Sequence, residues 1–273
     1  MPRLLARPAL LVTLAAGGLL AGCGEEIGSV EAEAEERRAV SLDGRQLILD
    51  GFAGTVSVEA DASLDEAELV FTRVAGGATE ESAQGLLPRV RLEEAGDGEL
   101  YQFVWRTDLP RGARVDADVR VPLGTDLVVR LGAGDLRLAG LDGPVDAETG
   151  AGNVTVEMGS STTLRTKTGS GATRLEAVAL PLDAAWRAEA GAGDLTIALS
   201  PGVSVRVDAE SGAGTLTLDE ALDFADPVAG DTPGRASFSG TLRDGTASLD
   251  ATTGAGNLTV RALTTAADTT DAP

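Results

Sequence analysis

The chain has 273 residues, with 43 acidic against 22 basic, no histidine and one cysteine, for a formal net charge of −21. Without histidine there is no Ser-His-Asp or Cys-His catalytic system and no zinc site built from Cys and His clusters, and a single cysteine cannot form an internal disulfide framework. Hydrophobic content of 43% is enough for a buried core, while 35 glycines and few aromatics (5 Phe, 2 Trp, 1 Tyr) point to many turns around small aliphatic side chains.

Arg3 and Arg7 precede the apolar run Ala9 to Ala21, the order of charge and hydrophobicity found in a signal peptide. That run is shorter than the roughly 20 residues a helix needs to cross a hydrocarbon core, which argues against a permanent transmembrane helix. Leu20, Ala21, Gly22 and Cys23 resemble a bacterial lipobox. The resemblance implies removal of residues 1–22 and acylation of Cys23 with fatty chains such as palmitate, a stable membrane anchor. Gly24 stands where an Asp would favour retention in an inner membrane, so the outer membrane or the cell surface is the expected location. Residues 23–38 carry Glu25, Glu26, Glu31, Glu33, Glu35 and Glu36 and read as a lipidated cysteine followed by an acidic, self-repelling tether, with a short helix through 30–38 as an alternative. The charge is wrong for nucleic acid, which attracts Lys and Arg.

Residues 39–121 read as an irregular, strand-rich N-terminal part. Gly54-Thr55-Val56-Ser57-Val58 has the form of a degenerate first repeat, and 78–84 reads as a loop. Tyr101, Phe103 and Trp105 share one face of a strand. They either cap the end of a core or form an exposed stacking platform for a sugar or a partner.

From 122 to 263 one tripeptide recurs: Gly132-Ala133-Gly134, Gly150-Ala151-Gly152, Gly169-Ser170-Gly171, Gly191-Ala192-Gly193, Gly212-Ala213-Gly214 and Gly254-Ala255-Gly256. Period-two apolar patterns flank each, as in Val145/Ala147 before and Val154/Val156 after the second, so each unit reads as strand, glycine corner, strand, turn. A unit of about 20 residues cannot bury its own apolar face but can when stacked on its like. The expected fold is therefore all-β, a parallel β-helix-like β-solenoid with about 20-residue coils and Gly-Ala-Gly corners; the rival is a sandwich of bent hairpins. Stacking in chain order would place Arg130, Glu148, Lys167, Glu189, Glu210 and Thr252 in one outward ladder, its opposite charges pinning the register. The sole lysine, Lys167, is then structural. Residues 219–233 read as a surface loop and 264–273 as a disordered tail.

The segments Val115-Asp116-Ala117-Asp118-Val119-Arg120-Val121-Pro122, Asp126 to Arg130 and the Gly-Ala-Gly units up to Val260 resemble the bacterial putative-adhesin family of β-strand-repeat envelope domains. The resemblance implies the fold and an envelope setting, and no catalytic residues or cofactor. Asp135 and Asp194 sit where a calcium-binding β-roll would hold ligands, but that repeat runs at nine residues. The equivalent Asn153, Ala172, Thr215 and Asn257 favour a turn-capping ladder and no metal site. The expectation is a non-catalytic, lipid-anchored scaffold, adhesion or interaction module with an envelope protein or polysaccharide as partner. An envelope-stress sensor and a polysaccharide-acting enzyme are the alternatives.

Overall fold

The computed structural model describes residues 30–263 with the exception of 110, 159 and 233. The expected signal peptide 1–22, the expected lipobox Leu20, Ala21 and Gly22, the expected lipidation residue Cys23 and the tail 264–273 lie outside the described residues. The fold is all-β with one short helix, and its strands form two large, mostly parallel sheets of ten and eleven strands.

In chain order the strands are β1 (Val30–Val40), β2 (Gln46–Ala53), β3 (Val56–Ala60), β4 (Ala67–Gly77), β5 (Val90–Gly96), β6 (Leu100–Thr107) and β7 (Ala113–Val121), with helix α1 (Glu80–Leu86) between β4 and β5. The repeats follow as pairs joined by a glycine corner: β8 (Leu127–Ala133) with β9 (Leu136–Ala139), β10 (Val145–Ala151) with β11 (Val154–Met158), β12 (Thr163–Ser170) with β13 (Thr173–Ala177), β14 (Ala185–Ala192) with β15 (Leu195–Leu199), and β16 (Val205–Ala213) with β17 (Leu216–Leu218). Then come β18 (Ala225–Thr232), β19 (Arg235–Leu242), β20 (Ala247–Ala255) and β21 (Leu258–Ala262).

The first strand of each pair joins the eleven-stranded sheet and the second the ten-stranded one, in parallel register with the next pair. Leu127, Val145, Leu164, Trp186 and Leu249 are aligned neighbours on one inner face, and Leu136, Val154, Thr173, Leu195 and Leu258 on the other. All are essentially inaccessible. Burying each large aliphatic side chain contributes about 1.5–3 kcal/mol, and the files of such residues between the sheets are the main stabilising element.

The corner glycines are needed for two different reasons. The second glycine of each tripeptide has φ between 127° at Gly134 and 153° at Gly214, a region closed to most side chains. A Cβ there would also overlap the carbonyl oxygen of the equivalent glycine in the adjoining unit, as at Gly152 against Gly134. The first glycines have ordinary φ, yet a Cβ on Gly191 would lie 2.6 Å from the Gly169 oxygen. Two files of backbone therefore run past each other with no room for a side chain. The middle residues, such as Ala151 and Ala192, point to solvent. Buried hydroxyls beside the corner satisfy the neighbouring unit's carbonyls: Thr149 donates to Gly134 O at 3.1 Å, Thr253 to Gly193 O at 2.9 Å and Ser211 to Gly256 O at 2.9 Å. Gly54, with φ 135°, makes the β2–β3 pair a member of the same series, as its sequence indicated.

The units do not stack in chain order. β20 lies between β14 and β16, and β21 between β15 and β17, while at the other end β2 lies between β6 and β8 and β3 between β7 and β9. The chain leaves β17, builds the antiparallel β18–β19 hairpin on the outside of β16, and returns to fill the slot beside β14.

Three local expectations are corrected. Residues 30–38, expected in the tether, belong to β1, which pairs antiparallel with β4 over eleven positions from Val30↔Gly77 to Val40↔Ala67. Ala32 and Ala34 face inward, and Glu31, Glu35 and Glu36 are ion-paired to Arg114 at 2.7 Å, Arg37 at 2.7 Å and Arg73 at 2.6 Å, so three of the four acids in 30–38 have basic partners. Residues 80–84 of the expected loop 78–84 belong to helix α1, because Thr79 caps the Ser82 N–H and Glu80 and Glu81 favour the positive end of the helix. Most of the expected loop 219–233 is β18, held by β19.

Candidate interaction surfaces

The outward face of the eleven-stranded sheet carries the charge ladder, in a different order from the one expected. Register gives Asp50, Arg130, Glu148, Lys167, Glu189, Thr252, Glu210 and Ser237 on successive strands. The inserted Thr252 separates Glu189 from Glu210, which stacking in chain order would have set side by side at a cost in repulsion. Lys167 Nζ lies 3.2 Å from Glu148, and Glu210 is held by Arg235 of β19 at 2.6 Å. Both ion pairs are roughly half exposed, so each contributes at most about 1 kcal/mol. Asp50 extends the ladder; its signal was its distance from Gly54, equal to that of Arg130 from Gly134.

A second outward row runs Asp146, Arg165, Arg187, Asp250, Asp208 and Ser239. Where these two rows reach β16, β19 and β20, an open groove of about 390 Å³ is lined by Arg187, Asp208, Glu210, Asp250, Phe238 and Val228, among others. Partial burial pushes the Asp208 carboxyl up, but the Ser239 hydroxyl and the Arg206 guanidinium at 3.1 Å outweigh it and hold the group below the usual carboxylate range. Two of the three carboxylates in the groove thus already have arginine partners, Asp208 with Arg206 and Glu210 with Arg235.

The aromatic row does not form an exposed platform. Phe103 and Trp105 are 0% and 1% exposed, and Tyr101 is partly buried. Phe71 of β4 packs 5.0 Å from the Phe103 ring and 6.1 Å from Trp105, closing the core at this end. Trp105 lies over Gly51, where any side chain would overlap its indole, and donates from Nε1 to Ala53 O at 3.3 Å. Tyr101 sits at the rim: its hydroxyl donates to Glu94, and the Arg45 guanidinium lies 5.2 Å from its ring centre. Burial first, and then the Glu94 carboxylate, push its phenol up to about 12.

The Asp and Asn side chains after the corners form a ladder of turn caps. Asp135 Oδ1 accepts from Asn153 N at 2.7 Å, Asn153 Oδ1 from Ala172 N at 3.0 Å, Asp194 Oδ1 from Asn257 N at 2.8 Å, and Asn257 Oδ1 from Thr215 N at 3.2 Å. These oxygens bind the backbone of the adjoining unit. Among the described residues no three His, Cys, Asp or Glu side chains are grouped to hold a metal ion. No helix among them is long and apolar enough to cross a membrane.

Comparison with protein-family models and with curated proteins finds no match. Solved structures do resemble the chain. A putative cell adhesion protein from Clostridium sporogenes is 13% identical, with 85% of this chain and 100% of that one covered and a TM-score of 0.47. A putative adhesin from Bacteroides fragilis is 12% identical, covering 84% and 97%, with a TM-score of 0.29. A putative adhesin from Parabacteroides distasonis is 10% identical, with the same coverage and a TM-score of 0.25.

Proposed function

We propose that this protein is a lipid-anchored component of a bacterial cell envelope, a β-solenoid that serves as a non-catalytic scaffold and interaction module. The observation that carries the reading is the in-register stacking of seven strand pairs, from β2–β3 to β16–β17, into two sheets whose outward rows include the ion pairs Lys167–Glu148, Arg206–Asp208 and Arg235–Glu210. Such a body is a stiff spacer that presents its ends and edges at a distance from its point of attachment. The lipobox supplies that point at Cys23. With β1 beginning at Val30, six residues, 24–29, separate it from Cys23, and at about 3.3 Å per residue six residues span at most about 20 Å. The solenoid would then stand close to the bilayer, its edge strand β1 nearest the anchor.

The test is intact mass and membrane partitioning after expression in a bacterium, wild type beside Cys23→Ser. The proposal expects a mass lacking residues 1–22 and carrying acyl chains in the wild type, with the variant unlipidated and released from membranes. An unmodified Cys23 in soluble, cleaved protein overturns the anchor. Turnover of an envelope polysaccharide that is lost in Asp250→Asn would overturn the non-catalytic reading, because Asp250 lies in a groove where three carboxylates meet.

A further inference from the structure

Among the described residues the two sheets have four edge strands: β1 and β17 in one, β5 and β18 in the other. Three of them are protected. β1 carries Glu31, Glu33, Glu35, Glu36, Arg37 and Arg38, and β5 carries Arg91, Glu93 and Glu94. β18 contains Pro227, Asp226 with φ of 49°, and a break in register between Ala225 and Val228. Charge, proline and bulges are the usual devices that stop an exposed edge from pairing with another chain.

β17 has no charge, proline or bulge and is limited only by its shortness. It is Leu216-Thr217-Leu218, and among the described residues β21 is its one strand partner. The register Thr217↔Thr259, with Leu258 N bonded to Thr215 O and Asp219 N to Val260 O, turns the odd-numbered backbone groups toward β21. The N–H and C=O of Leu216 and Leu218 therefore point along the free edge. Their side chains are only half-buried, whereas the aligned Leu258 and Val260 are 0% exposed, so the last apolar layer on this side is incomplete. The opposite sheet continues past β16 through β19 and β18, and its Phe238 stands edge-on to Phe224 at 4.9 Å. The end of the molecule is thus a step, with a missing strand on one side.

We propose that the free edge of β17 is a strand-addition site for an extended, basic segment of a partner protein. An added strand would bond to the free groups of Leu216 and Leu218, and its alternate apolar side chains would complete the layer. The charge around the site selects the remaining side chains. Asp219 is engaged by the Ala221 and Ala262 N–H groups and lies beside Arg261 of β21, but Glu220, Asp223 and Asp226 follow it, and no Lys or Arg occurs in the sequence between Arg206 and Arg235. The edge lies at the opposite side of the ten-stranded sheet from β1, nine strand spacings or about 43 Å away. Its presentation away from a membrane rests on the anchoring proposed above; the edge itself does not.

The test uses the purified protein in solution, so that it is independent of lipidation. An acetylated nine-residue peptide of alternating Val and Lys is titrated in, beside a Val and Glu peptide and a Val and Lys peptide N-methylated at alternate residues, while amide exchange at Leu216 and Leu218 is followed by NMR. With free Val and Lys peptide at ten times its Kd, exchange at those two amides should slow about elevenfold, and the acidic and N-methylated peptides should bind at least about tenfold more weakly. Leu218→Pro removes one outward N–H without touching the bonds to β21, and Glu220→Lys with Asp223→Lys removes the charge and leaves the edge; each should weaken binding by a similar factor. If Leu218→Pro does not fold, the charge variant and the N-methylated peptide decide. Equal binding of all three peptides, or binding with no protection at Leu216 and Leu218, overturns the site. Protection of these amides in a concentration-dependent dimer without peptide overturns the choice of partner, because a second copy of this chain would then occupy the edge.

Discussion

Replacing Gly152 by alanine demands both a conformation and a space that the corner lacks. Its φ of 145° lies where a residue with a Cβ is strained by about 1–3 kcal/mol, and the new methyl would overlap the Gly134 carbonyl. Relieving that overlap means separating two stacked units, an overpacking cost of about 1–3 kcal/mol. The Gly134 N to Ala151 O bond at 2.7 Å is the backbone link most directly loosened. The expected loss is about 4 kcal/mol, a large part of the roughly 5–15 kcal/mol by which domains are stable. Gly44→Ala is the control: φ there is 79°, but nothing lies within 4 Å of the added carbon, so the backbone term stands alone at about 1–2 kcal/mol. Urea unfolding followed by the fluorescence of Trp105 and Trp186, both buried, measures the two variants on one scale. Losses that agree within about 0.5 kcal/mol would refute the idea that the glycine files are closed to side chains, a comparison that needs differences of about 1 kcal/mol to be resolved.

Tyr101 is the one tyrosine of the chain, so phenolate absorbance reads it directly: the midpoint should lie near 12 in the folded protein and move down in Glu94→Gln. Because folding raises this pKa above its ordinary value of 10.0, the associated stability is complete below pH 10 and is lost as the pH rises toward 12; a midpoint at 10.0 with the fold intact would contradict the assignment. At the acid end the sign is reversed. The hydrogen bond and charge of Arg114 hold the Glu31 carboxyl below 4.5, so the stability of the β1 attachment is present above that pH and is lost as the pH falls through the lowered value. Urea midpoints taken down the pH scale should flatten in Arg114→Gln, and an unchanged acid profile would remove the ion pair from the account. Lys167→Ala should cost less than about 1 kcal/mol in dilute buffer and nothing measurable in molar salt, where screening acts within about 3 Å; a salt-independent loss would point to packing by the lysine stem instead.

The corner and the inner files were legible in the sequence because a tripeptide with two obligatory glycines, flanked by alternating apolar residues, has few structural solutions. The turn-cap ladder of Asp135, Asn153, Asp194 and Asn257 was legible for the same reason. β1 was hidden by its composition. Glu31 and Glu36 look like solvated charges until Arg114 and Arg73 are brought beside them from distant parts of the chain, and the inward Ala32 and Ala34 are too small to signal a core. The burial of Phe103 and Trp105 depends on Phe71 in β4 and on the bare backbone of Gly51, neither of which the aromatic row itself reveals. Helix α1 did carry a signal in Thr79, Glu80 and Glu81. The stacking order carried almost none: neighbouring units in a chain are ordinarily neighbours in space, and the only hint of the insertion was the doubled spacing between Gly212 and Gly254.

That insertion is also where the architecture is most exposed to experiment. In a Cys23→Ser background, Glu189→Cys with Thr252→Cys places two thiols at aligned positions of adjacent parallel strands, about 4.8 Å apart along the sheet and within the span a disulfide bridges. Glu189→Cys with Glu210→Cys places them two strands apart, about 10 Å, beyond that span. Mild oxidation of the folded protein should close the first pair rapidly and leave the second open. Closure of the 189–210 pair in preference to the 189–252 pair would mean that the units stack in chain order, and would contradict the arrangement from which the ladder, the step at β17 and the proposed docking edge are all drawn.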